Sequence, residues 1–139
     1  MSLYILDTDH LSLQQRSHPQ LLVRLAATPP TELAITIITV VEQIAGRLGY
    51  FKRCRNESEI AQGCYLLRDT VAHLNQFQIL EYDPTAQKMF QSWRQSGIRI
   101  GTQDLRIAAI ALSVGATLLT RNTVDFGKVP GLTIQDWTV

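Results

Sequence analysis

The amino-acid sequence predicts an α/β fold, a mostly parallel central sheet of four or five strands covered by helices on both faces. Three observations lead there. Strand-like and helix-like stretches alternate along the whole chain. The strand-like stretches include short, unbroken apolar runs, the pattern of strands buried on both sides. Residues 105–114 form a helical stretch that is apolar nearly all round: Leu105, Ile107, Ala108, Ala109, Ile110, Ala111, Leu112 and Val114. Such a helix belongs inside a protein.

Taken in order, residues 3–6 (LYIL) make the first strand, which stops at Asp7-Thr8-Asp9. Leu11 and Leu13, then Leu21, Leu22 and Leu25, mark two short helices, with Pro19 in the first turn of the second. Thr28-Pro29-Pro30 breaks the chain before a second strand over residues 33–38 (LAITII). From 39 to 49 the period becomes helical, with Val40, Val41, Ile44 and Leu48 expected inward and Glu42 in the first turns. Asn56 followed by Glu59 has the form of a capping box. It opens a helix in which Ile60, Cys64, Leu67, Val71 and Leu74 recur at steps of four and three. Residues 77–82 (FQILEY) alternate as a strand. Asp83-Pro84 then starts a helix with Ala86, Met89, Phe90 and Trp93 on one face and Gly97 at its end. The central apolar helix follows, with Thr102 expected to cap it and Gly115 able to end it in a left-handed conformation. Residues 116–120 read as a buried strand, a polar loop carries Asn122 and Asp125, and residues 132–134 offer a short last strand.

At 139 residues the chain is expected to be one domain with a real core. An apolar fraction of 45% with 18% charged residues suits a soluble globular protein. A net charge of +1 means that any nucleic acid must be held by a local patch, because there is no global field to attract it. Cys54 and Cys64 form no CxxC and have no companion histidines, so incidental thiols in a reducing, cytoplasmic setting are expected and zinc is not. No stretch has the length of a membrane span, and the N-terminus lacks a basic-then-apolar signal pattern.

In parallel α/β sheets, ligands lie outside the carboxyl ends of the strands. Asp7 follows the first strand, Glu42 lies one helical turn past the second, Asp125 lies just past the fourth, and Asp104 opens the central helix. Four carboxylates are therefore expected on one rim. Brought within a few ångströms, they would raise one another's pKa values. A divalent cation relieves that repulsion, and oxygen-only ligation suits Mg²⁺ or Mn²⁺. Such a site polarises a phosphoryl oxygen and activates water for in-line displacement. No GxxxxGK[ST] loop is present, so the implied substrate is a phosphodiester or phosphate ester, not a nucleoside triphosphate.

YILDTDHLS at the N-terminus, a Glu on the helix after LAITIITVV, GTQDLRIAAIAL, and LLTRNTVDFGKVPGLTIQDW together resemble a PIN-domain ribonuclease, more narrowly a VapC-type toxin of a bacterial toxin–antitoxin pair. The resemblance spans essentially the whole chain and implies a three-layer α/β/α PIN-like fold over residues 1–139. It implies a metal-dependent endoribonuclease that leaves a 3′-hydroxyl and a 5′-phosphate on tRNA or other structured RNA. It also implies a cognate VapB-type, DNA-binding antitoxin that docks at or near the site, and a homodimer. Carried over residue by residue, it assigns Asp7, Glu42 and Asp104 to the metal. Many members have an Asp directly after the TR dipeptide, where this chain has Asn122; Asp125 matches the acid of the TRNxxDF variant and is taken as the fourth ligand. Thr8, Thr120, Asp9 and Asn122 are expected to orient ligands, water or substrate.

Around these acids, His10 is expected to be structural, and Arg47, Lys52, Arg53 and Arg55 form a basic stretch that offers contacts to RNA phosphates. Arg99, Arg106 and Arg121 are nearer the rim and able to pair the acids, and Arg121 also offers a contact to RNA. Two other readings compete. LDTD resembles the strand end of a haloacid-dehalogenase-like phosphatase, but Leu11 stands where that motif wants Thr or Val. A non-catalytic acid-pocket module of receiver type would need a late Lys directly after a strand, and Lys128 does not fit.

Overall fold

A computed structural model describes residues 2–139. Its strands are β1 (Tyr4–Leu6), β2 (Leu33–Thr36), β3 (Gln78–Leu80), β4 (Thr117–Leu119) and β5 (Thr133–Gln135). Its helices are α1 (Thr8–Gln15), α2 (Pro19–Ala26), α3 (Ile37–Lys52), α4 (Glu57–Leu74), α5 (Pro84–Gln95), α6 (Thr102–Ser113) and the short α7 (Thr123–Phe126). The five strands run in the order β3-β2-β1-β4-β5, and every pairing is parallel. Chain order reverses direction between β1 and β4, which makes that junction the point where ligands sit in sheets of this kind.

Alternation along these short strands divides the core. Ile5, Ala34 and Leu118 face one side, with α5 and α6, through Ala86, Leu105, Ile107 and Ile110. Leu6, Ile35 and Leu119 face the other, with Leu11, Leu21, Leu74 and Trp137. The result is three layers, α/β/α, with α6 wholly buried along Leu105, Ile107, Ala108, Ala109, Ile110 and Ala111. Each large apolar side chain so buried contributes about 2 kcal/mol. No described helix is long and apolar enough to cross a membrane.

Several expectations need correction. The second strand ends at Thr36, two residues early, because the Thr36 hydroxyl accepts from the Thr39 N–H and starts α3 there. A local cap thus overrides the strand preference of Ile37 and Ile38. On α3, Ile38 and Thr39 are buried while Val41 and Leu48 are exposed. On α4, Gly63, Thr70 and Leu74 turn inward, and Cys64 and Val71 face out. The cause is close packing of the two helices: a Cβ on Gly63 would lie 3.3 Å from Phe51 and 3.5 Å from Cys54 and Tyr50. Thr102 does not cap α6. It is the first helical residue, and its hydroxyl accepts from the Arg94 guanidinium, which also holds the carbonyls of Ile98 and Ile100. The Asn56 box is half made, since the Glu59 carboxylate reaches the Arg55 N–H instead of that of Asn56. The polar loop after β4 contains α7. Asp83 with Pro84, Pro19, and the positive-φ Gly97 and Gly115 stand where expected.

Candidate active site

Asp7 leaves β1 at its carboxyl end, its N–H continuing the ladder to the Leu119 carbonyl of β4 at 3.1 Å. It is also the N-cap of α1: Oδ1 accepts from the His10 N–H at 2.7 Å. The capping role and a role in the site are therefore the same geometry, which leaves Oδ2 free of the cap.

Glu42 is one turn and a half into α3, half-buried, and its Oε1 accepts from the Thr8 hydroxyl at 2.7 Å. Behind Thr8 stands a row of hydroxyls, Thr39 at 3.1 Å and then Thr36 at 3.5 Å. A threonine has one proton to give. With Thr8 donating to Glu42, Thr39 donates to Thr8 and Thr36 to Thr39, so the row points its protons toward the carboxylate. Thr36 and Thr39 were missed from the sequence, although two buried hydroxyls in an otherwise apolar run must find partners.

Asp104 sits in the first turn of α6, half-buried. Its carboxyl is pushed up to about 6, first by burial and then by the charges of Glu42, Asp7 and Asp125 in falling order. Carboxylates separated by up to 118 residues of chain thus act on one another at a single rim. Asp125, on α7, is tethered by the Asn122 amide at 3.0 Å and Lys128 at 3.5 Å, and Asn122 caps α7 through the Asp125 N–H at 3.3 Å. The Asn122 hydrogen bond is the leading reason its carboxyl lies below the usual range. Thr120, wholly buried, accepts from the Asn122 N–H at 2.9 Å and so holds the start of this loop. Gly127 closes it: a Cβ there would meet the Thr123 carbonyl oxygen at 2.6 Å.

A second grouping lies beside these acids. Among the described residues, Asp7, Asp9 and His10 offer ligand atoms within 4.8 Å of one another. Its donor atoms are largely engaged, as the two oxygens of Asp125 also are by Asn122 and Lys128. Both oxygens of Asp9 are taken by the Arg121 fork at 2.7 Å each. His10 is fully buried and its Nε2 accepts from the Trp137 N–H at 3.3 Å. A neutral ring accepting at Nε2 carries its proton on Nδ1, which has no lone pair left for a metal. That Nδ1 faces Asp7 Oδ1 at 3.4 Å instead. No three of Asp7, Glu42, Asp104 and Asp125 form such a group within 4.8 Å among the described residues. What links these acids is the charge that Glu42, Asp7 and Asp125 place on Asp104, second to its burial, and carboxylate oxygens are the donors a hard divalent ion takes.

The basic residues separate. Arg47 lies on α3 near Glu42 and donates to Thr70 of α4 at 2.8 Å. Lys52 and Arg53 stand at the far end of α3, about 15 Å along the axis from Glu42. Arg121 is engaged by Asp9, and Arg106 by Gln103 and the Phe90 ring.

No family model matches the chain. Among curated proteins, Ribonuclease VapC1 of Haemophilus influenzae (strain R2866) is 30% identical over 140 residues, covering 98% of both chains. The chain belongs to the VapC ribonuclease family. A more distant member, the tRNA(fMet)-specific endonuclease VapC of Salmonella typhimurium (strain LT2), is 24% identical over 96% of this chain and 97% of its own. The structure of VapBC-1 from nontypeable Haemophilus influenzae matches with a TM-score of 0.79 at 27% identity, covering 99% of each chain. VapBC2 of Rickettsia felis, with a TM-score of 0.73 at 23% identity over 97% of this chain and 98% of that one, shares the fold. The expected PIN-domain toxin endoribonuclease is thus what the chain is, and the phosphatase reading falls with it. Asp9, which a phosphatase would need as a free acid, is held by Arg121.

Proposed function

We propose that this chain hydrolyses RNA phosphodiesters with the help of Mg²⁺ or Mn²⁺ held by Asp7, Glu42, Asp104 and Asp125. The observation that carries this reading is the placement of Asp7 at the end of β1 and Asp125 just beyond β4, the two strands at the switch point, with Asp104 in the first turn of α6. Burial first, and then Glu42, Asp7 and Asp125, raise the Asp104 carboxyl. When bound there, a divalent ion polarises a phosphoryl oxygen and activates water. The chain's own part is orientation. Thr8 holds Glu42 Oε1, the α1 cap holds Asp7 Oδ1, and Asn122 with Lys128 holds the two oxygens of Asp125. Arg47, the cation on α3 nearest the rim, is suited to pair a substrate phosphate. Lys52 and Arg53 extend that basic side for a longer RNA.

The substrate we propose is tRNA or another structured RNA, cut to leave a 3′-hydroxyl and a 5′-phosphate. The Salmonella relative, named for tRNA(fMet), supports that choice. We further propose a VapB-type, DNA-binding antitoxin that blocks the site in the cytoplasm, supported by the VapBC complexes among the structural neighbours. Exposed Val41, Leu48, Tyr65 and Val71 on α3 and α4 supply apolar area for that partner or for a homodimer.

The test is direct. Purified protein is incubated with total RNA and the new ends are mapped. Cleavage should stop on chelation, return with Mg²⁺ or Mn²⁺, and be absent from Asp7→Asn. Cleavage that survives chelation or the Asp7 change would remove the metal reading.

A further inference from the structure

A groove of about 780 Å³ opens between α1, α3 and α4, with Glu42 in its lining. It lies within the roughly 300–1,000 Å³ range of small-molecule sites. Its lining is unlike a peptide-docking groove, where apolar anchors dominate. Side-chain amides line it, from Gln14, Gln15, Gln43 and Gln76. Arg16 and Arg47 supply positive charge, against Asp69 and Glu42. Gly46 adds open space at the α3 wall, with nothing within 4 Å of where a Cβ would stand.

Two polar atoms in this lining are buried without a hydrogen-bond partner, Gln14 Oε1 on α1 and His73 Nε2 on α4. Both atoms are shielded as the side chains stand, so a ligand reaches them only when Gln14 or His73 turns toward the groove. The cost of about 1–3 kcal/mol for an unpaired buried atom favours that turn once a polar partner is present. Burial holds the His73 imidazole below its ordinary pKa, with Asp69 opposing. The ring is therefore neutral near pH 7 and offers one donor and one acceptor. Arg47 spends its Nε on Thr70, and its two terminal nitrogens make no hydrogen bond among the described residues. The amides of Gln43 and Gln15 meet each other and Ser12 only at 3.4 Å, loose enough to exchange partners.

We infer that this groove is a base-reading subsite, in which an unpaired nucleotide next to the scissile phosphate is recognised by Gln14 and His73 while Arg47 holds its phosphate. The inference rests on the nuclease reading of the adjoining acids. Sequence-specific RNA recognition acts on unstacked bases whose edges meet side-chain donors and acceptors. Amides and a neutral imidazole present both kinds within one cavity, and the arginines neutralise the backbone. Glu42 lines the groove while Asp7, Asp104 and Asp125 do not, so the groove adjoins the acids through Glu42.

The experiment uses Asp104→Asn protein and short fluorescent single-stranded oligoribonucleotides of uniform A, C, G or U, with binding read by anisotropy. The expected result is a spread of about tenfold or more between the best and worst base, the worth of one good base-edge pair. That spread should collapse when Gln14→Ala or His73→Ala is added. Because either change could disturb packing, photo-crosslinking of thiouridine-substituted RNA to the unsubstituted protein gives an independent readout, with adducts expected on α1 and α4. An undiminished spread in both variants, or crosslinks that avoid both helices, overturns the inference. Cleavage of RNA by the wild type is scored separately. Cleavage with unchanged base discrimination sinks only the subsite, and base discrimination without any cleavage sinks only the nuclease.

Discussion

Replacing Asp104 by Asn should destroy activity and make the metal-free protein more stable. The Asp104 carboxyl is pushed from 3.8 to about 6 by burial and by Glu42, Asp7 and Asp125. A raised carboxyl pKa means the folded state disfavours the ionised form. The penalty is absent below about pH 4, grows as pH rises, and is complete above about pH 6. The gap of about 2 pKa units corresponds to about 3 kcal/mol as a ceiling. Asp104 is only half-buried, so solvent screening reduces this to about 1–1.5 kcal/mol. For a domain of this size that is a rise of about 3–6 °C in Tm. The assay is thermal unfolding in chelator at about pH 7.5 and about pH 4.5, with cleavage measured alongside. Asp104→Asn should melt higher than wild type at the upper pH, and the difference should shrink at the lower one. Mg²⁺ should raise the Tm of wild type more than that of the variant, while the variant loses at least about a hundredfold in activity. An Asn variant that melts no higher than wild type in chelator at the upper pH would refute the raised carboxyl of Asp104, to which burial contributes first and the other acids second.

Thr8→Val removes the hydroxyl that aims Glu42 at 2.7 Å, and should cut kcat/KM by about 10–100-fold with little change in Tm. Gly127→Ala drives a methyl into the Thr123 carbonyl oxygen, 2.6 Å away, and should cost about 1–3 kcal/mol in a denaturant titration together with activity, through displaced Asp125. Asp125→Ala should lose more activity in initial-rate assays than Asn122→Ala, because Asn122 tethers the carboxylate without replacing it. The Arg121 fork holds the Asp9 carboxyl below its usual range. That depressed pKa contributes stability above about pH 4 that is lost as pH falls through the folded value. Arg121→Gln should therefore melt below wild type at neutral pH and converge with it in acid melts.

The sequence by itself carried the class of fold and the places of the acids along its elements. Unbroken apolar runs, a helix apolar on nearly every side, and acids at the ends of strands are local patterns, and local patterns survive without knowledge of neighbours. Asp83-Pro84, Gly97 and Gly115 were legible for the same reason, since each acts on the few residues around it. What depends on contact between distant segments was not legible. The α4 face turned on Gly63 meeting Phe51 and Tyr50, and the Thr102 cap was lost to an arginine from α5. Asp9, adjacent in sequence to the acid rim, was claimed by Arg121 from beyond β4. The protons of Thr36, Thr39 and Thr8 line up toward Glu42 only because α1 and α3 leave neighbouring strands side by side. Residue types limit which bonds an atom can make, and tertiary packing decides which of them it makes, because burial penalises every polar atom left without a partner.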